Sequence, residues 1–122
     1  MAAILVLDDV FDAVVLLRRI FEKKGHEVVC FTEEEEAIEH VRTHTVDLVI
    51  LDIKLKKMEG VEVLAEMKKA DPRIRAIMLT GYPTLDSARE SLRLGAAEYC
   101  VKPIDKEEIE EKVDKVLAQK EG

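Results

Sequence analysis

The sequence predicts an α/β protein: a doubly wound, five-stranded parallel sheet with helices on both faces, a (βα)5 three-layer sandwich. Three observations predict it. Short strand-like runs recur at Ile4–Leu7, Glu27–Phe31, Val46–Leu51, Ile74–Leu79 and Ala97–Val101. A stretch of helical periodicity follows each run, and strict strand–helix alternation implies parallel pairing through helical crossovers. The first run, and the third apart from Asp47, are apolar without alternation, as strands buried on both faces are. Right-handed crossovers then leave 2-1-3-4-5 as the common strand order for five.

The first strand ends in Asp8-Asp9. The helix after it is expected over about Phe11–Lys24, stopped by Gly25. Ala13, Leu16, Leu17, Ile20 and Phe21 form its inward stripe. Phe11, Val14 and Val15 fall off that stripe; three apolar side chains beside an acidic corner suit a partner-binding surface, although single exposed apolar residues are ordinary. After the second strand, Thr32 is expected to cap a helix, with Glu35 completing a capping box. The Glu33–Glu36 run lies at the positive end of that helix and reads as solvation and capping. Ala37, Ile38 and Val41 face the core. His40 and His44 have the four-residue spacing of a metal pair. No third ligand stands nearby in sequence, so they read as surface residues, and His26 reads as structural.

The third strand runs straight into a carboxylate, Asp52. Open α/β sheets bind ligands at the carboxyl ends of their strands, while a turn or cap Asp is also common there. A helix over Gly60–Ala70 carries Val63, Leu64 and Met67 inward and ends at Asp71-Pro72. The fourth strand ends in Thr80-Gly81, and Tyr82-Pro83 turns the chain into a helix with Leu85, Ala88, Leu92 and Gly95 on its inward face. The fifth strand ends in Lys102-Pro103. Asp105 with Glu108 caps a last helix with Ile109, Val113, Val116 and Leu117 inward, before a polar tail.

Composition narrows the function. A net charge of −7 argues against direct nucleic-acid binding, which needs a basic face. Apolar runs are strand-sized, so no membrane span is expected, and the absence of a signal-like leader points to the cytoplasm. Residues 1–122 read as one domain. Cys30 and Cys100 lack metal-ligand spacing, and the expected topology puts them on opposite sheet edges, too far apart for a disulfide.

The strand ends carry the chemistry. In the order 2-1-3-4-5, strands 1, 3, 4 and 5 are neighbours, so Asp8, Asp9, Asp52, Thr80 and Lys102 can converge. Three carboxylates in one pocket repel one another unless a cation intervenes. Hard oxygen ligands suit Mg²⁺, which takes one or two carboxylates and keeps several waters. A Lys and a Thr hydroxyl are suitable partners for phosphoryl oxygens. The set reads as a phosphoryl-transfer site with a carboxylate nucleophile.

The segments LVLDD (5–9), VDLVILDI (46–53), MEG (58–60), LTGYPTLDSA (79–88) and LGAAEYCVKPID (94–105) together resemble the receiver domain of bacterial two-component response regulators, along essentially the whole chain. The segment around Thr80 is similar to receivers of nitrogen-regulation-type transcription factors. The resemblance implies a flavodoxin-like fold and a phosphoacceptor, not a turnover enzyme. Asp52 would accept a phosphoryl group from the phosphohistidine of a sensor kinase or histidine phosphotransfer protein. Asp9, Asp52 and the backbone carbonyl of Lys54 would hold Mg²⁺, with Asp8 acting through metal-bound water. Lys102 would bind phosphoryl oxygens, Thr80 would reach towards them, and Tyr99 would swing inward behind it. The Lys102–Pro103 bond would be cis. The first helix, with Phe11, Val14 and Val15, would receive the kinase. The fourth helix, fifth strand and fifth helix would meet a downstream protein, an output domain or a second copy.

Phe11, Val14 and Val15 stand where that family's members are often polar, and two loop positions also depart from its pattern. Lys56 stands where Pro is usual, which leaves the loop after Asp52 less stiff. Lys54 stands where shorter side chains are frequent, and its ammonium is expected to lean over the acidic pocket. Three rivals fit less well. A dehalogenase-type phosphatase wants a second Asp where Lys54 stands. A flavodoxin binds phosphate in its first loop, where Asp8-Asp9 would repel it. A receiver-like module that is never phosphorylated has no need of all five site residues.

Overall fold

The computed structural model describes residues 1–119. The chain alternates β1 (Ala3–Leu7), α1 (Phe11–Lys23), β2 (Glu27–Phe31), α2 (Glu34–Thr43), β3 (Leu48–Asp52), α3 (Gly60–Ala70), β4 (Arg75–Thr80), α4 (Leu85–Arg93), β5 (Glu98–Val101) and α5 (Lys106–Ala118). The strands form one parallel sheet in the order β2-β1-β3-β4-β5, as the alternation predicts. Strand ends move by a residue or two. β3 starts at Leu48 because Asp47 is occupied at the strand's entrance: its carboxylate accepts the Ala3 N–H at 2.8 Å and its own N–H reaches the Ala3 carbonyl at 2.9 Å.

Side chains alternate across each strand, so the sheet divides the core in two. Ile4, Val6, Leu48, Ile50, Ile77 and Leu79 pack with α1 and α5 on one face. Leu5, Leu7, Val49, Leu51, Ala76 and Met78 pack with α2 and α3 on the other. No described helix is long and apolar enough to cross a membrane. Cys30 and Cys100 are free thiols on the two edge strands. His26 accepts the Ala2 N–H on Nδ1, and His40 and His44 stack ring on ring at 4.0 Å.

Three helices differ from expectation. The stripe of α1 holds at Ala13, Leu17, Ile20 and Phe21, but its fifth buried member is Val14, while Leu16 is exposed. Both choices have helical spacing, and the sheet below selects the one that seats Val14. Gly25, at φ +88°, ends the helix in a conformation other residues avoid. In α2 the expected Thr32–Glu35 box does not form; the N-cap is Glu33, without a side-chain cap, and Glu34 is buried. In α4 the inward face is Ser91, with Ser87 and Ala88 half-buried, and Leu85 and Leu92 point outward. Ser91 is tolerated inside because its hydroxyl donates to the Ser87 carbonyl at 2.8 Å. In α5, Asp105 accepts the Glu108 N–H at 3.0 Å, and Ile109, Val113 and Val116 are buried. The polar tail expected beyond Leu117 lies mostly outside the described residues.

Candidate functional site

Three neighbouring strands end in the same local device. Asp8 Oδ1 accepts the N–H of Val10 at 2.9 Å, Asp52 Oδ1 that of Lys54 at 3.3 Å, and Thr80 Oγ1 that of Tyr82 at 3.0 Å. In each case a short oxygen-bearing side chain closes a turn two residues on. The register aligns them: Leu7 lies opposite Leu51, which sets Asp8 beside Asp52, and Thr80 lies opposite Val101, next to Lys102. Residue types that favour turns therefore also aim oxygens at one point on the carboxyl edge.

Asp8, Asp9 and Asp52 converge there, each offering one carboxylate oxygen, all within 4.8 Å of one another. Asp8 and Asp52 are buried, and Asp9 is half-exposed. The Lys102 ammonium sits 2.8 Å from Asp8 Oδ2 and 3.5 Å from Asp52 Oδ2. The contact with Asp8 is close enough for an ion pair, yet Oδ2 makes no hydrogen bond of good geometry. Burial, and then the charge of Asp8, push the Asp52 carboxyl up from 3.8 to about 7 against the pull of Lys102. Burial alone would lower the Lys102 ammonium, but Asp8 and Asp52 outweigh it and hold it above its ordinary value. Oxygen donors without enough protons or cations to balance them are what a hard divalent ion fits.

The loop after Asp52 is tightly closed at its base. Gly60 N–H donates to the Ile53 carbonyl at 2.7 Å, and Lys54 and Glu59 form an antiparallel bridge. A Cβ on residue 60 would lie 2.2 Å from the Asp52 carbonyl oxygen, so glycine is required. Lys54 lines the cleft, but its ammonium lies 3.9 Å from Glu59 and does not lean over the carboxylates as expected. A residue that sequence reasoning passed over reaches this loop: Glu34 accepts the N–H groups of Lys57 and Met58 on Oε2 at 2.5 and 3.0 Å. Its place within four consecutive glutamates concealed it.

On the far side of the cleft, Thr80 is fully buried. Tyr99 is half-buried against the core, and its hydroxyl lies 2.8 Å from Ser87 Oγ. Ser87 also exchanges bonds with Thr84 at the start of α4, so the ring is tied to that helix. The Lys102–Pro103 bond is cis. Of the expected docking residues, Phe11 is 69% exposed and Val15 half-buried, but Val14 is 6% exposed and belongs to the core. Val14 is withdrawn from that surface: it takes the place in the core that Leu16 was expected to fill.

Residues 4–114 match the family described as the response regulator receiver domain. The chain belongs to that family. Sporulation initiation phosphotransferase F of Bacillus subtilis (strain 168) is 38% identical over 117 residues, covering 96% of this chain and 94% of that protein. The transcriptional regulatory protein ZraR of Escherichia coli (strain K12) is 32% identical over 115 residues; the match covers 94% of this chain but only 26% of the regulator. Among solved structures, the CheY-like receiver domain protein from Methanospirillum hungatei JF-1 superposes with a TM-score of 0.92 at 32% identity, over 96% of this chain and 94% of that one. The protein is thus a receiver domain of two-component response regulators, a phosphoacceptor signalling domain with an acidic pocket able to hold a metal ion.

Proposed function

We propose that Asp52 is the phosphoacceptor and that the domain uses Mg²⁺ to take a phosphoryl group from a phosphohistidine. The observation that carries this reading is the convergence of three carboxylates and the Lys102 ammonium on the end of β3. An ionised Asp52 oxygen attacks phosphorus; the P–N bond breaks with its electron pair returning to the imidazole, and a P–O bond forms an acyl phosphate. Lys102 then moves from balancing carboxylates to balancing phosphoryl oxygens. Asp9, Asp52 and the Lys54 carbonyl would hold the magnesium, with Asp8 behind them. When bound, the ion supplies the positive charge that lets the carboxylates ionise together. The same pocket returns the phosphoryl group to water, so the domain makes and breaks its own acyl phosphate without turning over an external substrate.

The output follows from charge. A phosphoryl group adds roughly two negative charges. The Thr80 hydroxyl turns towards it, and the Tyr99 ring fills the space behind. That shifts the population of α4 arrangements and alters the face carrying Tyr82, Leu85, Leu92 and Val101, all exposed. This face meets a downstream protein, an output domain or a second copy. The exposed Phe11 and the neighbouring Val15 receive the histidine-bearing donor, a sensor kinase or phosphotransfer protein in the cytoplasm.

Intact mass after incubation with acetyl phosphate and Mg²⁺ tests the reading. Wild type gains one acid-stable, base-labile phosphoryl group and Asp52→Asn gains none. Amide NMR with beryllofluoride shifts Asp52, Thr80, Tyr99 and α4 in wild type only. Equal modification of both proteins, or none of either, sinks it.

A further inference from the structure

We propose that Glu34 is a positioning residue for the phosphoacceptor loop: its carboxylate clamps the backbone of Lys57 and Met58 and so holds the segment that presents the Lys54 backbone to the site. This rests on Asp52 being the phosphoacceptor. Glu34 is the first residue of α2, where an acidic side chain would ordinarily serve its own helix terminus. It faces its own N–H and also reaches across to another loop. It is 1% exposed, and both bonds of the clamp fall on Oε2. Oε1 is buried without a hydrogen-bond partner. A buried carboxylate with one bare oxygen is disfavoured and calls for an explanation. Burial pushes the Glu34 carboxyl up, but the N–H groups of Glu34, Lys57 and Met58 outweigh it, so the group stays ionised at neutral pH.

The loop needs an external hold. Residue 56 is Lys, so no ring fixes φ there. Lys54, Lys56 and Lys57 are exposed, and the charge of Lys57 adds to the pull on Glu34. The base of the loop is closed by Gly60 on Ile53 and by the Lys54–Glu59 bridge. Its tip is closed by Glu34. Lys54 belongs to the base, three residues before the clamped Lys57; its N–H already orients Asp52 Oδ1, and its carbonyl is the one the proposed function assigns to the cation. Small displacements of a positioned group are costly to catalysis, so a clamp two elements away acts on the chemistry without touching it.

The test uses Glu34→Ala, Glu34→Gln and the double variant Glu34→Ala/Lys56→Pro in the full chain. Three readouts are taken: amide shifts and hydrogen exchange at Lys57 and Met58, Mg²⁺ affinity by NMR titration, and phosphorylation rate with acetyl phosphate. Glu34→Ala is expected to move both amides, weaken Mg²⁺ binding several-fold and slow phosphorylation about tenfold. Glu34→Gln keeps an acceptor oxygen and stays within about threefold of wild type. Lys56→Pro stiffens the same turn by other means and recovers most of the rate lost in Glu34→Ala. A folded Glu34→Ala with wild-type Mg²⁺ affinity and rate overturns the proposal. So does a rate loss that tracks thermal stability and that Lys56→Pro does not recover. Should Glu34→Ala not fold, Glu34→Asp, one methylene too short for the clamp, is judged by the same outcomes. If wild type itself is not phosphorylated, the Asp52 reading fails, while the amide shifts and Mg²⁺ affinity still decide whether Glu34 holds the loop.

Discussion

Helices α1 and α4 lie on opposite faces of one sheet and are held in opposite ways. α1 drives Ala13, Val14, Leu17, Ile20 and Phe21 into the core. α4 buries Ser91, a polar residue satisfied by its own helix, and leaves Leu85 and Leu92 66% and 68% exposed. The difference extends to the pocket. The Asp8 and Asp52 side stands on β1 and β3, whose apolar residues from Ile4 onward are shut off from water, and its loop is fixed by Gly60 and Glu34. The Thr80 side leads into α4 through an exposed turn at Tyr82 and Pro83. Chemistry needs groups held in place, and signalling needs an element that can leave its place at low cost. In the function proposed above, this receiver keeps the two on separate sides of one cleft.

The sharpest way to break that comparison is to place the same charge on each helix. Val14→Glu buries a carboxylate among α1 contacts and should cost about 3 kcal/mol or more of stability. Leu92→Glu adds a charge at a site already in water and should stay within about 0.5 kcal/mol. Urea denaturation of both variants decides. Equal losses would mean that α4 is anchored as firmly as α1.

The contrast between these helices is also where the sequence was hardest to read. Strand positions and order were legible because a strand buried on both faces has few alternatives, and the site followed from them: once β1, β3, β4 and β5 are neighbours, Asp8, Asp52, Thr80 and Lys102 must share an edge. Helix phase was less legible. Leu16 and Val14 both continue an apolar stripe, and only the sheet beneath distinguishes them. In α4, counting apolar residues points the wrong way, because a serine bonded to its own backbone can be buried while leucines are left exposed. Glu34 could not be found locally, since its partners lie 23 and 24 residues further on.

The next effect is one of pH and belongs to the rigid side. Without metal, Asp52 keeps its proton up to about 7 in the folded state and loses it near 3.8 when unfolded. Between those values the folded state binds more protons, so stability falls as pH rises and is lowest above about 7. At pH 8, Asp52→Asn should therefore be the more stable protein, by on the order of 2–4 kcal/mol, with the gap closing towards pH 4. Mg²⁺ should narrow the gap by stabilising wild type. Denaturation at pH 4, 6 and 8 in chelator and in Mg²⁺ measures it. A pH-independent difference would mean that Asp52 is not the group strained by this pocket.

The smallest effect probes the movable side. Tyr99→Phe removes the hydroxyl that meets Ser87 Oγ at 2.8 Å. A neutral, half-buried hydrogen bond is worth about 1 kcal/mol at most, so global stability should hardly change. Local stability should change more, because Ser87 also closes the first turn of α4 through Thr84. Hydrogen exchange should accelerate in α4, beginning with the Ala88 N–H that bonds to the Thr84 carbonyl, while amides in β3 and α1 keep wild-type protection. The local pattern carries the meaning: an acceleration confined to α4 identifies the tyrosine as a tie between β5 and that helix. An acceleration shared with α1 would make the domain one cooperative unit, and the division between a fixed chemical side and a loose signalling side would not hold.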